Sequence, residues 1–151
     1  MARNVLPLIG TRNFTSQTVE ANEIINLGSV YRKFCQRINN TPTFSFDGND
    51  VSLQQSGMYH ITATLTFSAT AAGDVVVSLF ENGLAVPGIT ATETITTATT
   101  EFRTVTLDYF ALVDSACVLG NVATVAKAIS LVNTGIEATF TSVVMNIEKV
   151  I

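Results

Sequence analysis

The chain has 151 residues, 47% of them apolar and only 13% charged, with a net charge of −4. That length suits one domain and can bury a core, while the charge is about half the usual share of roughly 25%. Nucleic acid is excluded as a partner: residues 38–151 hold three basic against ten acidic side chains, and no Lys or Arg stands between Arg37 and Arg103, whereas phosphate contacts need both.

Residues 1–20 show no sustained periodicity and read as an extended arm, ordered on contact with something else. Its start, "MARNVLPLIGTRNFTSQ", has an apolar piece of only about five residues, too short for a secretory signal. No run approaches the roughly 18 apolar residues of a membrane span, so no membrane insertion is expected. "EIINL" and "VYRKFCQ" flank Gly28-Ser29 and complete an N-terminal unit, 1–37, with five basic and two acidic residues. Arg3 and Arg12 could anchor it to an acidic partner; a solvated arm with five spread cations fits the same pattern.

Residues 38–151 read as a single β-domain. "TFSF" and "VSL" flank Asp47-Gly48-Asn49-Asp50, a hairpin signal. "SGMYHITATLTFS" then alternates, placing Tyr59, Ile61, Ala63, Leu65 and Phe67 on one side and His60, Thr62, Thr64 and Thr66 on the other. "VVVSLFENG" ends in a second turn signal, Asn82-Gly83. "ITATETI" and "TEFRTVTLDYFALV" follow, the latter giving Leu107 and Tyr109 to the core. "ACVLGNV", "AISLVN" and "ATFTSVVMNIEKVI" close the chain, with Asn133-Thr134-Gly135 as a turn; "ATVAKAISLV" suits a helix or a strand. About ten short strands at spacings of 8–15 residues imply an all-β antiparallel sandwich or barrel.

Two strands raise one question. Alternation in "FTSVVMNI" places Val143, Met145 and Ile147 on the core face, with Phe140 and Val144 opposite. An antiparallel strand with one wet face alternates apolar with polar; this one is apolar or small on both sides, and so is the threonine face of residues 60–66. Something uncharged covers them. The scarcity of charge favours a second copy of the chain, meeting it at His60, Thr62, Thr64, Thr66, Phe140 and Val144. An ordinary threonine-rich domain with a covering loop and a lone surface histidine is the alternative.

No catalytic constellation is present. His60, the single histidine, has no triad partners in sequence, and neither a zinc motif nor a phosphate loop occurs. A small hydrolase is thus left without residues to carry it, and no cofactor and no metal are expected. Asp47, Asn49 and Asp50 offer oxygens to calcium, but a tight turn accounts for them. Cys35 and Cys117 match no metal or redox spacing; free thiols are the default, and a disulfide stays open.

The order of features resembles the jelly roll of the tumour-necrosis-factor-like superfamily. The motifs are Phe44 and Phe46 before the turn; Gly57, Tyr59 and Ile61 in a Gly-x-Tyr-x-apolar strand; "VSLFENG"; "TVTLDYFALV"; and "FTSVVMNIEKV". They cover about residues 40–151. Asp114-Ser115 stands where the family often has Gly-Asp, and no collagen-like stalk precedes the domain. The chain is therefore most similar to modules on phage particles and bacterial spore surfaces, rather than to the heads of complement-type proteins. The resemblance implies a homotrimeric jelly roll with one sheet facing the threefold axis, where threonines let three sheets approach closely. It also implies a non-enzymatic virion surface protein: a capsid decoration or a head or tail fibre knob. The arm would hold a capsid or tail protein, and attachment to host-surface glycans is a further role. A bacterial surface or spore-coat adhesin of the same fold is the alternative.

Overall fold

Every element among the described residues is a strand; the structure, a computed structural model, describes residues 6–38, 40–118, 121–124 and 126–151. The first sheet runs β10 (Arg103–Val113), β7 (Gly57–Ser68), β14 (Ala138–Lys149), β1 (Leu8–Asn13), β4 (Ser29–Phe34), with β2 (Gln17–Val19) beside β14. The second runs β5 (Phe44–Phe46), β6 (Asp50–Leu53), β13 (Lys127–Asn133), β8 (Gly73–Glu81), β9 (Leu84–Ile95), with β3 (Glu23–Ile24) beside β13. A separate hairpin joins β11 (Ser115–Val118) to β12 (Asn121–Thr124). All pairings are antiparallel, and the two sheets close over one apolar core as a jelly-roll sandwich. The ambiguous segment is a strand: Ile129 to Asn133 is buried on both faces, which accounts for its unbroken apolar look.

Alternation places the core. Tyr59, Ile61, Leu65 and Phe67 of β7, Leu107 of β10, and Val143, Met145 and Ile147 of β14 are all at most 4% exposed. Tyr109 is only half-buried and has another task. Its hydroxyl donates to Glu81, whose carboxylate also holds Lys127 at 3.0 Å, so β10 of one sheet is tied to β8 and β13 of the other. Burial, then the Glu81 carboxylate, push the Tyr109 hydroxyl up to about 12.

Phe140 departs from its expected place. It is fully buried in the subunit, edge-on to Phe67 with ring centroids 5.5 Å apart. The cause is a β-bulge: Phe140 pairs with Phe67, and Ser142 with the next residue back, Thr66, leaving Thr141 extra. One additional residue inverts the alternation, so Phe140 and Val143 share the core face. Phe140 therefore belongs to the core rather than to a surface with Val144.

The N-terminal arm is likewise replaced by sheet. β1 lies between β14 and β4, with Ile9 and Thr11 pointing inward at 1% exposure each. Arg12 sits on the opposite face, its guanidinium 5.0 Å from the Tyr31 ring centroid and 5.7 Å from that of Phe14; it is a sheet residue, not part of a free anchor. Arg3 lies outside the described residues. The Thr11 hydroxyl is buried without a partner among the described residues. Leaving a polar group so placed costs on the order of 1–3 kcal/mol, so Thr11→Val is expected to stabilise the protein by about 1 kcal/mol in urea unfolding. A loss of stability would show that the hydroxyl has a partner.

The β9–β10 loop is held by one side chain. Glu101 accepts the backbone N–H groups of Thr96 at 2.6 Å and Thr97 at 2.8 Å, and its other oxygen accepts the Arg103 guanidinium at 2.6 Å. The Thr97 and Thr96 N–H groups, then Arg103, pull its carboxyl down to about 2 from the usual 4.5. A depressed carboxyl contributes stability that is present above its unfolded pKa and lost as pH falls through the folded one. The loop should stay closed at pH 4.5 and open only on approach to about pH 2, read as amide exchange at Thr96 and Thr97. Opening centred at pH 4.5 would contradict this linkage.

Candidate functional site

The solvent face of the first sheet brings together the expected interface residues other than Phe140: His60, Thr62, Thr64, Thr66 and Val144. The register lays them out in rows across β10, β7, β14, β1 and β4. One row reads Phe110, His60, Glu148, Leu8, Phe34; the next reads Asp108, Thr62, Asn146, Gly10, Arg32; the third reads Thr106, Thr64, Val144, Arg12, Ser29. His60, Thr62, Thr66 and Val144 are half-buried and Thr64 is exposed. Thr66 and Thr104 share a hydroxyl hydrogen bond of 3.0 Å.

His60 is bound within the subunit. Its Nε2 lies 2.8 Å from Asp108 Oδ1, and its ring stacks on Phe110 at 4.5 Å and 10°. That carboxylate is the histidine's partner within the subunit. Gly10 is needed for a close approach: a Cβ there would stand 2.7 Å from both the Tyr31 ring and Asn146 Oδ1. Tyr31, the extra residue at the irregularity where β1 meets β4, lies over the gap and donates its hydroxyl to Asn146 at 2.6 Å.

Several residues of this face went unnoticed in the sequence. Phe110 is 53% exposed and Leu112 47%, both on the edge strand β10. Phe34 and Tyr31 are exposed on the far side. The signal was there in "TLDYFALV", whose inward Leu107, Ala111 and Val113 leave Asp108, Phe110 and Leu112 facing out. Between the two edges lies a half-open cleft of about 180 Å³ walled by Leu8, Arg32, His60, Thr62, Asn146 and Glu148, with Ile9 and Ile147 beneath. The charges divide along the sheet: Asp108 and Glu148 on β10 and β14, Arg12 and Arg32 on β1 and β4.

The other sequence candidates lie elsewhere. Asp47 Oδ1 accepts the N–H groups of Asn49 and Asp50, each at 2.9 Å, so its carboxylate closes the turn. Those bonds, from Asp50 first, hold its carboxyl below the ordinary range. Among the described residues no group of three His, Cys, Asp or Glu side chains gathers to hold a metal. Cys35 is half-buried and its sulfur accepts the Thr43 N–H at 3.1 Å; the Cys117 side chain, and with it any pairing of the two, lies outside the described residues.

No known protein family and no curated protein matches the sequence. Solved structures do match. The globular domain of zebrafish complement 1qA protein is similar over 96% of this chain and 98% of its own, with a TM-score of 0.61 at 7% identity. The PRD1 vertex protein P5 is similar over 98% and 99%, with a TM-score of 0.52 at 16% identity. Strand order, core and these likenesses agree on the fold: the chain is an antiparallel jelly-roll sandwich, the architecture of the complement 1qA globular domain and of the PRD1 vertex protein P5.

Proposed function

We propose that the chain is a non-enzymatic, homotrimeric surface protein of a virion: a capsid decoration or a fibre knob whose task is display or attachment to host-surface glycans. The observation that carries the reading is the solvent face of the first sheet. It sets two exposed apolar side chains of β10, Phe110 and Leu112, beside the threonine row of β7, Thr62, Thr64 and Thr66. A lone soluble subunit gains nothing from that arrangement, and contiguous exposed apolar side chains mark association surfaces. The likeness to the PRD1 vertex protein supports the virion setting.

The fold also separates two ends. Pro7 accepts the Lys149 N–H at 2.8 Å, and the Ile151 carbonyl accepts the Met58 N–H at 3.1 Å, so residues 6–7 and 149–151 lie together. The loops of residues 69–72, 96–102 and 134–137 gather at the opposite end, where the Thr99 N–H donates to Ala69 and Thr70 reaches Glu137. Mounting on a capsid or tail protein belongs to the first end, through Arg3 and its neighbours; recognition belongs to the loops.

Immunogold labelling of purified particles with antibody to this chain tests the reading. Label on the particle surface is expected. Label on the host cell envelope, with none on particles, would replace it with the bacterial surface adhesin. Removal of residues 1–5 should release the protein from particles and leave its fold intact, whereas removal of 1–20 takes β1 and should unfold it.

A further inference from the structure

The edge of the first sheet away from β10 carries a different chemistry from the threonines of β7. β4 is the last strand there, and it pairs with β1 alone. The irregularity between Gly10 and Thr11 gives β4 one extra residue, so the consecutive Tyr31 and Arg32 both reach the solvent face. Rings and cations then alternate. The Arg12 guanidinium lies 5.7 Å from the Phe14 ring centroid and 5.0 Å from that of Tyr31, and the Arg32 guanidinium lies 5.8 Å from Tyr31. The Tyr31 hydroxyl is tied to Asn146, which fixes the middle of this ladder in advance. Phe14 is 63% exposed and takes no part in the core. Among the described residues neither Arg12 nor Arg32 forms an ion pair within the chain, although Glu148 shares the cleft wall with Arg32. β1 runs from the end where Pro7 meets Lys149 toward the end where β2 joins Ala138–Phe140, so Phe14 stands on the side of the loops.

We propose that the ladder of Phe14, Arg12, Tyr31 and Arg32 binds an acidic glycan, the rings holding sugar faces and the guanidiniums holding carboxylate or phosphate groups. The site rests on the attachment reading above and names the class of glycan. A sugar ring presents a face of weakly positive C–H groups, which suits the negative face of an aromatic ring. A guanidinium stacked on a ring keeps its N–H edge free for the planar, two-pronged grip on an anion. The ladder itself holds two cations and no carboxylate, so it selects an anionic ligand. Nucleic acid is disfavoured because residues 38–151 are acidic and the chain carries −4. An acidic peptide added as a strand needs pockets for alternate side chains, whereas Phe14 and Tyr31 are exposed to solvent. β14 lies between β7 and the ladder, and the whole sheet lies between it and β10. Association through Phe110 and the β7 threonines therefore leaves the ladder at the rim, open to a long polymer.

Isothermal titration of the full chain tests the site, with polygalacturonate, its fully methyl-esterified form, phosphomannan and poly-glutamate as probes. Polygalacturonate or phosphomannan should bind, the tighter of the two showing whether carboxylate or phosphate is the anion read, and added salt should weaken either. The methyl ester should bind at least tenfold more weakly than polygalacturonate where carboxylate is read. Arg12→Ala with Arg32→Ala should weaken binding at least tenfold. Phe14→Ser should weaken it about fivefold although no charge is lost, and Arg12→Lys should weaken it although the charge stays. All three side chains are exposed, so each variant should keep its fold. Arg37→Ala, beyond the end of β4, should bind as the parent chain does. Absence of binding to both acidic glycans would overturn the proposal. Equal binding of poly-glutamate would replace it with a site for acidic peptides, and an equal loss in Arg37→Ala would reduce it to diffuse charge attraction. Its failure is separable from that of the virion reading. A trimer found on particles that ignores acidic glycans loses this site and keeps display; a chain found only on the host envelope that binds them through Arg12 and Phe14 keeps the site and loses the virion.

Discussion

Phe140→Ala is expected to cost the isolated subunit about 3–5 kcal/mol, the range for deleting a buried phenylalanine. Phe140 is fully buried and edge-on to Phe67, so its removal leaves a void lined by groups that β7 and β14 hold in register. Total stability of a domain of this size is on the order of 5–15 kcal/mol, so the variant should unfold at much lower urea while still folding in its absence. The contrasting result is equally clear. If the ring faced a neighbour instead, truncation would weaken association and leave subunit unfolding where it was. Urea unfolding at a concentration too low for association separates these outcomes.

Phe110→Glu should do the reverse. Phe110 is about half exposed and touches its own subunit mainly through the His60 stack, an interaction worth on the order of 0.5–1.5 kcal/mol. Subunit stability should therefore move by no more than about 1.5 kcal/mol. Between copies the same change removes the burial of a large apolar side chain, roughly 1.5–3 kcal/mol, and puts a carboxylate into a dry contact at a further cost. Association should weaken at least a hundredfold, read by sedimentation across a dilution series. Unchanged association would remove the β10 edge from the interface, and a collapse of subunit stability would show that Phe110 is a core residue after all.

The pair shows what alternation can and cannot disclose. In β7 and β10 the pattern runs without interruption for eleven or twelve residues, and both faces follow from it. The Asn82-Gly83 turn was legible too: both residues have positive φ, 51° and 78°, which that pair favours in a two-residue hairpin loop. Parity failed where a single residue was inserted. Thr141 carries no mark in the sequence, yet its bulge turns Phe140 inward; the irregularity between Gly10 and Thr11 brings Tyr31 over the sheet in the same unannounced way. β1 was hidden for another reason. Its inward residues include only Ile9 and the polar Thr11, too little to register as a period, although β14 and β4 enclose it on either side. The cleft could not be read at all, because residues 8, 32, 60 and 148 become neighbours only through the long-range register of four strands.

The central claim is that the threonine and aromatic face of the first sheet is covered by copies of the same chain. Mass in solution at nanomolar dilution, by mass photometry or sedimentation, tests it most directly. The account predicts one species at about three times the 16.1 kDa of the chain, dissociating when Phe110 becomes glutamate. A stable, well-folded species at 16.1 kDa across the accessible concentrations, with that face open to water, would contradict it.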